Sequence, residues 1–163
     1  MITFDDGYTS NYELAYPLLQ KFQIKAVISL ITECIGDQAY AFMSWDMCRE
    51  MAASGLVEFG SHTHGLHSSG IVRLYGESEE AYQSRVFPDI QKSIDLIQEH
   101  LGTAPTFFAY PHGRTDSWAD AFLKEQFSMT VTTAFGPVDL SDGCYLLSRH
   151  NITTDYTASH FLK

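Results

Sequence analysis

The chain has 163 residues, 45% hydrophobic and 18% charged, which suits one domain (1–163) with a sizeable core. Its formal net charge of −10 excludes nucleic acid and anionic lipid surfaces as partners and leaves neutral or cationic ligands open. No apolar run approaches the ~20 residues that span a membrane, so membrane insertion is not expected. Three cysteines (Cys34, Cys48, Cys144) without a C-x-x-C spacing read as small buried thiols, not as a disulfide framework or zinc knuckle. No signal peptide precedes the first strand, but a motif-bearing strand beginning at the second residue points to a fragment, in which Met1 need not be the native start.

Residues 1–5 read as a strand, and Ser10-Asn11 can cap a helix to about Phe22, with Pro17 tolerable near its first turn. KAVISLITECI (25–35) is a β-branched apolar strand. Ser44 caps WDMCREMAAS, which Gly55 stops. LVEFGSH (56–62) is the third strand, followed by a long helix from about Ser78 to Leu101, with Glu79 and Glu80 in its first turn, Gly102 past its end and a kink expected at Pro88. TFFAYP (106–111) is a strand and SWADAFLKEQF (117–127) a helix. MTVTTAF (129–135) and YLLSRHNI (145–152) complete the strands. Apolar strands alternating with amphipathic helices predict an α/β fold, a parallel sheet covered by helices, barrel-like or open. In such folds chemistry collects at the C-terminal ends of strands.

Two such ends are conspicuous. In ITFDDGY (2–8), Asp5 and Asp6 would point to opposite faces of a regular strand; Gly7 permits a turn that lets them share a site. In FGSHTHGLH (59–67), three of the seven histidines fall within six residues. His62 and His67 are five apart, which fits neither a helical face nor a strand face, so they converge if the chain curls at Gly65. Two imidazoles and one carboxylate make a catalytic, zinc-type ligand set with an open position. One aspartate can then ligate a metal while its neighbour acts as a base.

TFDDG, SHTHGLH and FAYPHG together resemble the polysaccharide deacetylases (carbohydrate esterase family 4, the NodB-homology domain) over nearly the whole chain. The five-residue histidine separation is similar to the poly-N-acetylglucosamine deacetylase branch. The resemblance implies a distorted (β/α) barrel, usually of seven strands and here expected to be incomplete at the N-terminus, and metal-dependent removal of acetyl groups from glycans outside the cell or at its surface. It implies Asp5 as general base and Asp6, His62 and His67 as ligands of a divalent ion, for which the ligand types favour zinc. His64 matches no ligand position and is expected in the loop or groove.

Two later motifs depart from the family. Ala109-Tyr110-Pro111-His112-Gly113 stands where Arg-x-Pro-Tyr-Gly is usual, so the arginine that steadies the base is absent and histidine replaces tyrosine. The backbone N–H at residue 112 can still serve an oxyanion hole, and Arg114 or Arg149 can substitute for the arginine. LLSRH offers His150 as general acid, one residue out of register, with His112 the other candidate. Asp116 and Trp118 fit helix capping and core packing as well as a fourth motif, and Trp45, Tyr110 and Tyr8 fit sugar stacking or packing. The expected function is deacetylation of an N-acetylated hexosamine polysaccharide. Its rivals are a catalytically silent carbohydrate-binding domain on the same fold and a metal-dependent hydrolase of non-glycan amides or esters.

Overall fold

Short runs of β-branched and aromatic residues, alternating with amphipathic helices, build five parallel strands in the order of the chain. A computed structural model describes residues 1–141, 143–153, 155–157 and 159. The strands are β1 (Ile2–Phe4), β2 (Ala26–Leu30), β3 (Val57–Ser61), β4 (Phe107–Ala109) and β5 (Met129–Val131), hydrogen-bonded in the order β1-β2-β3-β4-β5. Helices α1 (Tyr16–Phe22), α2 (Trp45–Ala53), α3 (Glu79–Leu101) and α4 (Ser117–Gln126) cover the outer face. Ile28 and Leu30 pack outward with Leu19, Cys48 and Met51 of α1 and α2. Phe108 packs outward with Val86, Ile90 and Leu123 of α3 and α4. The concave face carries Val27, Phe107, Ala109, Val131 and Leu147. The sheet is a curled half-barrel, and all five C-terminal strand ends open on one edge.

The caps fall where expected. The Met47, Ala81 and Trp118 N–H groups donate to Ser44 Oγ, Ser78 Oγ and Asp116 Oδ1. Asp116 therefore caps α4, and Trp118 packs against the core. Helix α3 continues through Pro88 as one element. The start of the first helix differs from expectation: Ser10 makes no side-chain cap, and a π-helical turn, Asn11–Ala15, precedes α1. In that turn the Tyr16 N–H donates to Asn11 O, five residues back, and Pro17 enters α1 in its first turn, where a missing N–H costs little.

Strand ends also differ. The run expected as a strand over 25–35 leaves the sheet after Leu30, because the next amides bond to loops: Ile31 N–H to Asp6 O, Thr32 N–H to Thr63 O and Glu33 N–H to His64 O. The run over 129–135 ends at Val131. The segment expected as a strand over 145–152 makes one parallel bridge, Val131 to Leu147, because Leu146 at φ 56° interrupts any extended run. Of the cysteines, Cys48 is buried and Cys34 and Cys144 are half-buried; all three are free thiols. Tyr110 is buried, with its hydroxyl donating to Asp120, and the half-buried Trp45 stacks on His100, so both serve packing. Tyr8 stacks on Phe42 and stays exposed.

Candidate active site

The paired aspartates part at a turn. Beyond β1 the chain adopts φ 75° at Asp6 and φ 89° at Gly7, and the Gly7 N–H folds back onto Asp5 O at 3.0 Å. The left-handed backbone at Gly7 is one that glycine adopts without strain, and a β-carbon there would also press on Leu30 Cδ2 at 2.8 Å. The two carboxylates consequently enter different environments.

Asp6 faces the histidines. Its Oδ1 lies 3.5 Å from His62 Nε2 and 3.3 Å from His67 Nε2, and one donor atom from each of the three residues falls within 4.8 Å of the others. His62, just past β3, is almost wholly buried. Its Nδ1 donates to the Ala109 carbonyl at 2.7 Å, since a carbonyl can only accept, and that leaves Nε2 as the ring nitrogen facing Asp6. At His67, burial and the neighbouring His62 and His112 lower the pKa more than Asp6 and Asp5 raise it, which favours the neutral imidazole. Two imidazole nitrogens beside a carboxylate are the donor chemistry of a divalent-cation site of the zinc type, and these residues fit such an ion.

His64 turns elsewhere. Its Nδ1 meets Thr32 Oγ1 at 3.0 Å, while the His64 and Gly65 N–H groups donate to the two carboxylate oxygens of Asp89 at 2.9 and 2.8 Å. Asp89, from the middle of α3, thus holds the loop that joins His62 to His67. Nothing in the sequence marks it beyond a place on the inward face of that helix.

Asp5 faces the concave side, where Arg149 grips it with two hydrogen bonds: Nη1 to Oδ1 at 2.9 Å and Nη2 to Oδ2 at 2.7 Å. The same guanidinium donates through Nε to Thr132 O and through Nη1 to Thr3 Oγ1, so it ties the far side of the curled sheet to β1. Of the two arginines considered as replacements for the absent one, Arg149 makes the contact; Arg114 stands exposed in the loop after β4. Burial pushes the Asp5 carboxyl up, but Arg149, with His62 and His67, outweighs it and holds the group below its ordinary value of 3.8. A carboxyl with a depressed folded pKa contributes stability that is full above the unfolded value and lost as pH falls through the folded value. Arg149→Gln is therefore expected to flatten the acid-side fall of Tm in a series of melts below about pH 5; an unchanged slope would detach Arg149 from the ionisation of Asp5.

The loop after β4 brings in His112, at φ 55°, with its ring centroid 4.8 Å from that of His67. Gly113 seats this loop on the end of β5, where a β-carbon would lie 2.0 Å from Thr133 Oγ1. His150 follows Arg149, is exposed, and sets its ring edge-on to Phe135 at 4.5 Å. The cluster of Asp6, His62 and His67, with Asp5 and His112, thus gathers at the C-terminal edge of the sheet; His150 lines a cleft with Asp5, Arg149 and Ile2.

Residues 1–133 match the family model for polysaccharide deacetylase. The Bacillus subtilis protein YxkH is 33% identical over 163 residues, which cover 99% of this chain and 54% of that protein. A poly-β-1,6-N-acetyl-D-glucosamine N-deacetylase of Staphylococcus aureus is 31% identical over 115 residues, 69% of this chain and 39% of that enzyme. The chain thus spans about half the length, or less, of these relatives. The BpsB deacetylase domain from Bordetella bronchiseptica superposes with a TM-score of 0.79 at 29% identity, covering 90% of this chain and 68% of that one. No helix among the described residues is long and apolar enough to cross a membrane. With the family model spanning most of the chain and its motifs meeting at one edge of the sheet, this chain belongs to the polysaccharide deacetylase family.

Proposed function

We propose that residues 1–163 form one catalytic unit that hydrolyses acetyl groups from an N-acetylated hexosamine polysaccharide at or outside the cell surface. The observation that carries this reading is the pairing of an ionised Asp5, clamped by Arg149, with the adjacent donor set of Asp6, His62 and His67. A carbohydrate-binding module has no use for a carboxylate so held. Asp6, His62 and His67 would bind a divalent ion, with zinc our assignment from the ligand types; when bound, it polarises the acetyl carbonyl and acidifies water.

The chain's own groups supply the rest. Asp5 accepts a proton from the attacking water, and Arg149 keeps it ionised and aimed. The backbone N–H of His112 donates to the developing oxyanion. The His112 ring passes a proton to the nitrogen as the C–N bond breaks, releasing acetate and a free amine. The ring beside His67 supports this choice over His150, whose ring rests on Phe135.

The test is acetate release by the metal-loaded protein from poly-N-acetylglucosamine, chitin oligomers and peptidoglycan. Wild type is expected to release acetate from at least the first, and silence on all three would leave a binding module. His112→Ala is expected to lower kcat about 100-fold, within the usual range for a lost acid–base group, whereas His150→Ala is expected to leave it near wild type. The reverse pattern would return the role to His150.

A further inference from the structure

The loop between His67 and α3 carries an aromatic ring that packing does not explain. Tyr75 is fully exposed, and its neighbour Leu74 is 54% exposed. Single exposed apolar residues are common and mean little, but this pair sits on a tip that is built with care. The Glu77 N–H donates to Leu74 O, and Gly76 at φ +74° closes the turn. Glu77 accepts from the Leu74 N–H and from Arg85 through Nε and Nη2. Arg85 also reaches Val72 O. Arg73 donates through its backbone N–H and Nε to Asp116, the cap of α4. The buried Tyr82 hydroxyl donates to Ile71 O.

We propose that this turn is a second glycan contact, a platform on which Tyr75 stacks a hexosamine unit of the strand whose reacting unit lies at Asp5 and Asp6. The proposal rests on the deacetylase reading and adds a binding subsite to it. Loops that follow parallel strands, and helix N-termini, lie at the C-terminal edge of the sheet, so the platform and the candidate site share one end of the molecule. From His67 to Tyr75 the chain can reach at most ~28 Å, a span that one polymer strand of several sugar units can cover. A rigid aromatic ring binds the apolar face of a pyranose with little ordering cost, because the turn is already held. Charge favours a unit that has already reacted. Each acetyl removed leaves an amine that is cationic when protonated; the chain carries −10, and the exposed Glu79 and Glu80 follow the tip in the first turn of α3. A tyrosine face attracts such a cation as well.

The experiment compares wild type, Tyr75→Ala and Tyr75→Phe, each metal-loaded, on the shortest N-acetylglucosamine oligomer turned over and on long, partly deacetylated poly-N-acetylglucosamine. Tyr75→Ala is expected to raise KM for the polymer about five- to thirtyfold, with kcat and all oligomer constants unchanged, and Tyr75→Phe to behave as wild type. An unchanged polymer KM overturns the platform, and so does an equal loss on the oligomer. So does a loss of cosedimentation with phosphatidylcholine vesicles in Tyr75→Ala at unchanged polymer KM, which would assign the tip to lipid. If the wild type releases no acetate from either substrate, the deacetylase reading fails separately. Calorimetric titration of the polymer into wild type and Tyr75→Ala then decides the platform by whether the alanine variant binds more weakly.

Discussion

Asp5→Asn is expected to bind metal as the wild type does and to lose about 10²–10⁴-fold in acetate release, the contribution typical of a positioned general base. The substitution keeps shape and removes one function. An amide oxygen can still accept one hydrogen bond from Arg149, so the clamp is weakened without being emptied. The amide has no basic site for the proton of water, and nothing nearby replaces it: Asp6 is turned to His62 and His67. Metal content should hold, because Asp5 contributes no atom to the group formed by Asp6, His62 and His67. Elemental analysis beside acetate assay reads both halves at once. Full activity in Asp5→Asn would demote the residue to a turn former, and loss of metal would place it among the ligands.

The second large effect is on metal binding. His62→Ala is expected to abolish stoichiometric metal, His67→Ala to do the same, and His64→Ala to leave it intact. The contrast follows from where the rings point. His64 bonds to Thr32 through Nδ1, whereas His62 presents Nε2 to Asp6 because Ala109 O occupies Nδ1. Removing His62 also leaves the Ala109 carbonyl without its buried donor, a loss of about 1–3 kcal/mol, so a fall in stability alone would not discriminate. Metal-dependent stabilisation does. A ligand at 100 times its Kd adds about 2.7 kcal/mol to a folded protein, and added zinc should raise the Tm of wild type and His64→Ala but not of His62→Ala. Metal-dependent stabilisation that survives in His62→Ala but vanishes in His64→Ala would reverse the assignment.

The local sequence determined a good deal. Alternation of apolar runs with capped amphipathic segments specifies a parallel sheet under helices, since capping by Ser44, Ser78 and Asp116 is a contact between near neighbours and its signal survives in a few residues. Asp5, Asp6, His62 and His67 were legible for a related reason: the first three stand within two residues of a strand end and His67 in the loop that follows the same strand as His62, where residue type and spacing already restrict the chemistry. The strand ends themselves were not legible. The apolar run at residues 25–35 has nothing local that halts it at Leu30; the halt comes from Asp6, Thr63 and His64, whose carbonyls take the next amides.

The same holds for the support of the site. Arg149 lies 144 residues from Asp5, and Asp89 lies 25 and 24 from the two amides it holds. A surface arginine and a helix aspartate look alike whether solvated or engaged, because what distinguishes them is the partner that chain curvature delivers. Leu146 reads as one more apolar residue of a strand, yet its left-handed backbone interrupts that run. Arg149 follows in the same segment, where its backbone N–H bonds to Ala134 O and its side chain turns onto Asp5. Hydrophobic periodicity records which face a side chain takes within its own element. Which group from another element meets that face is decided only when the sheet curls and its two sides approach.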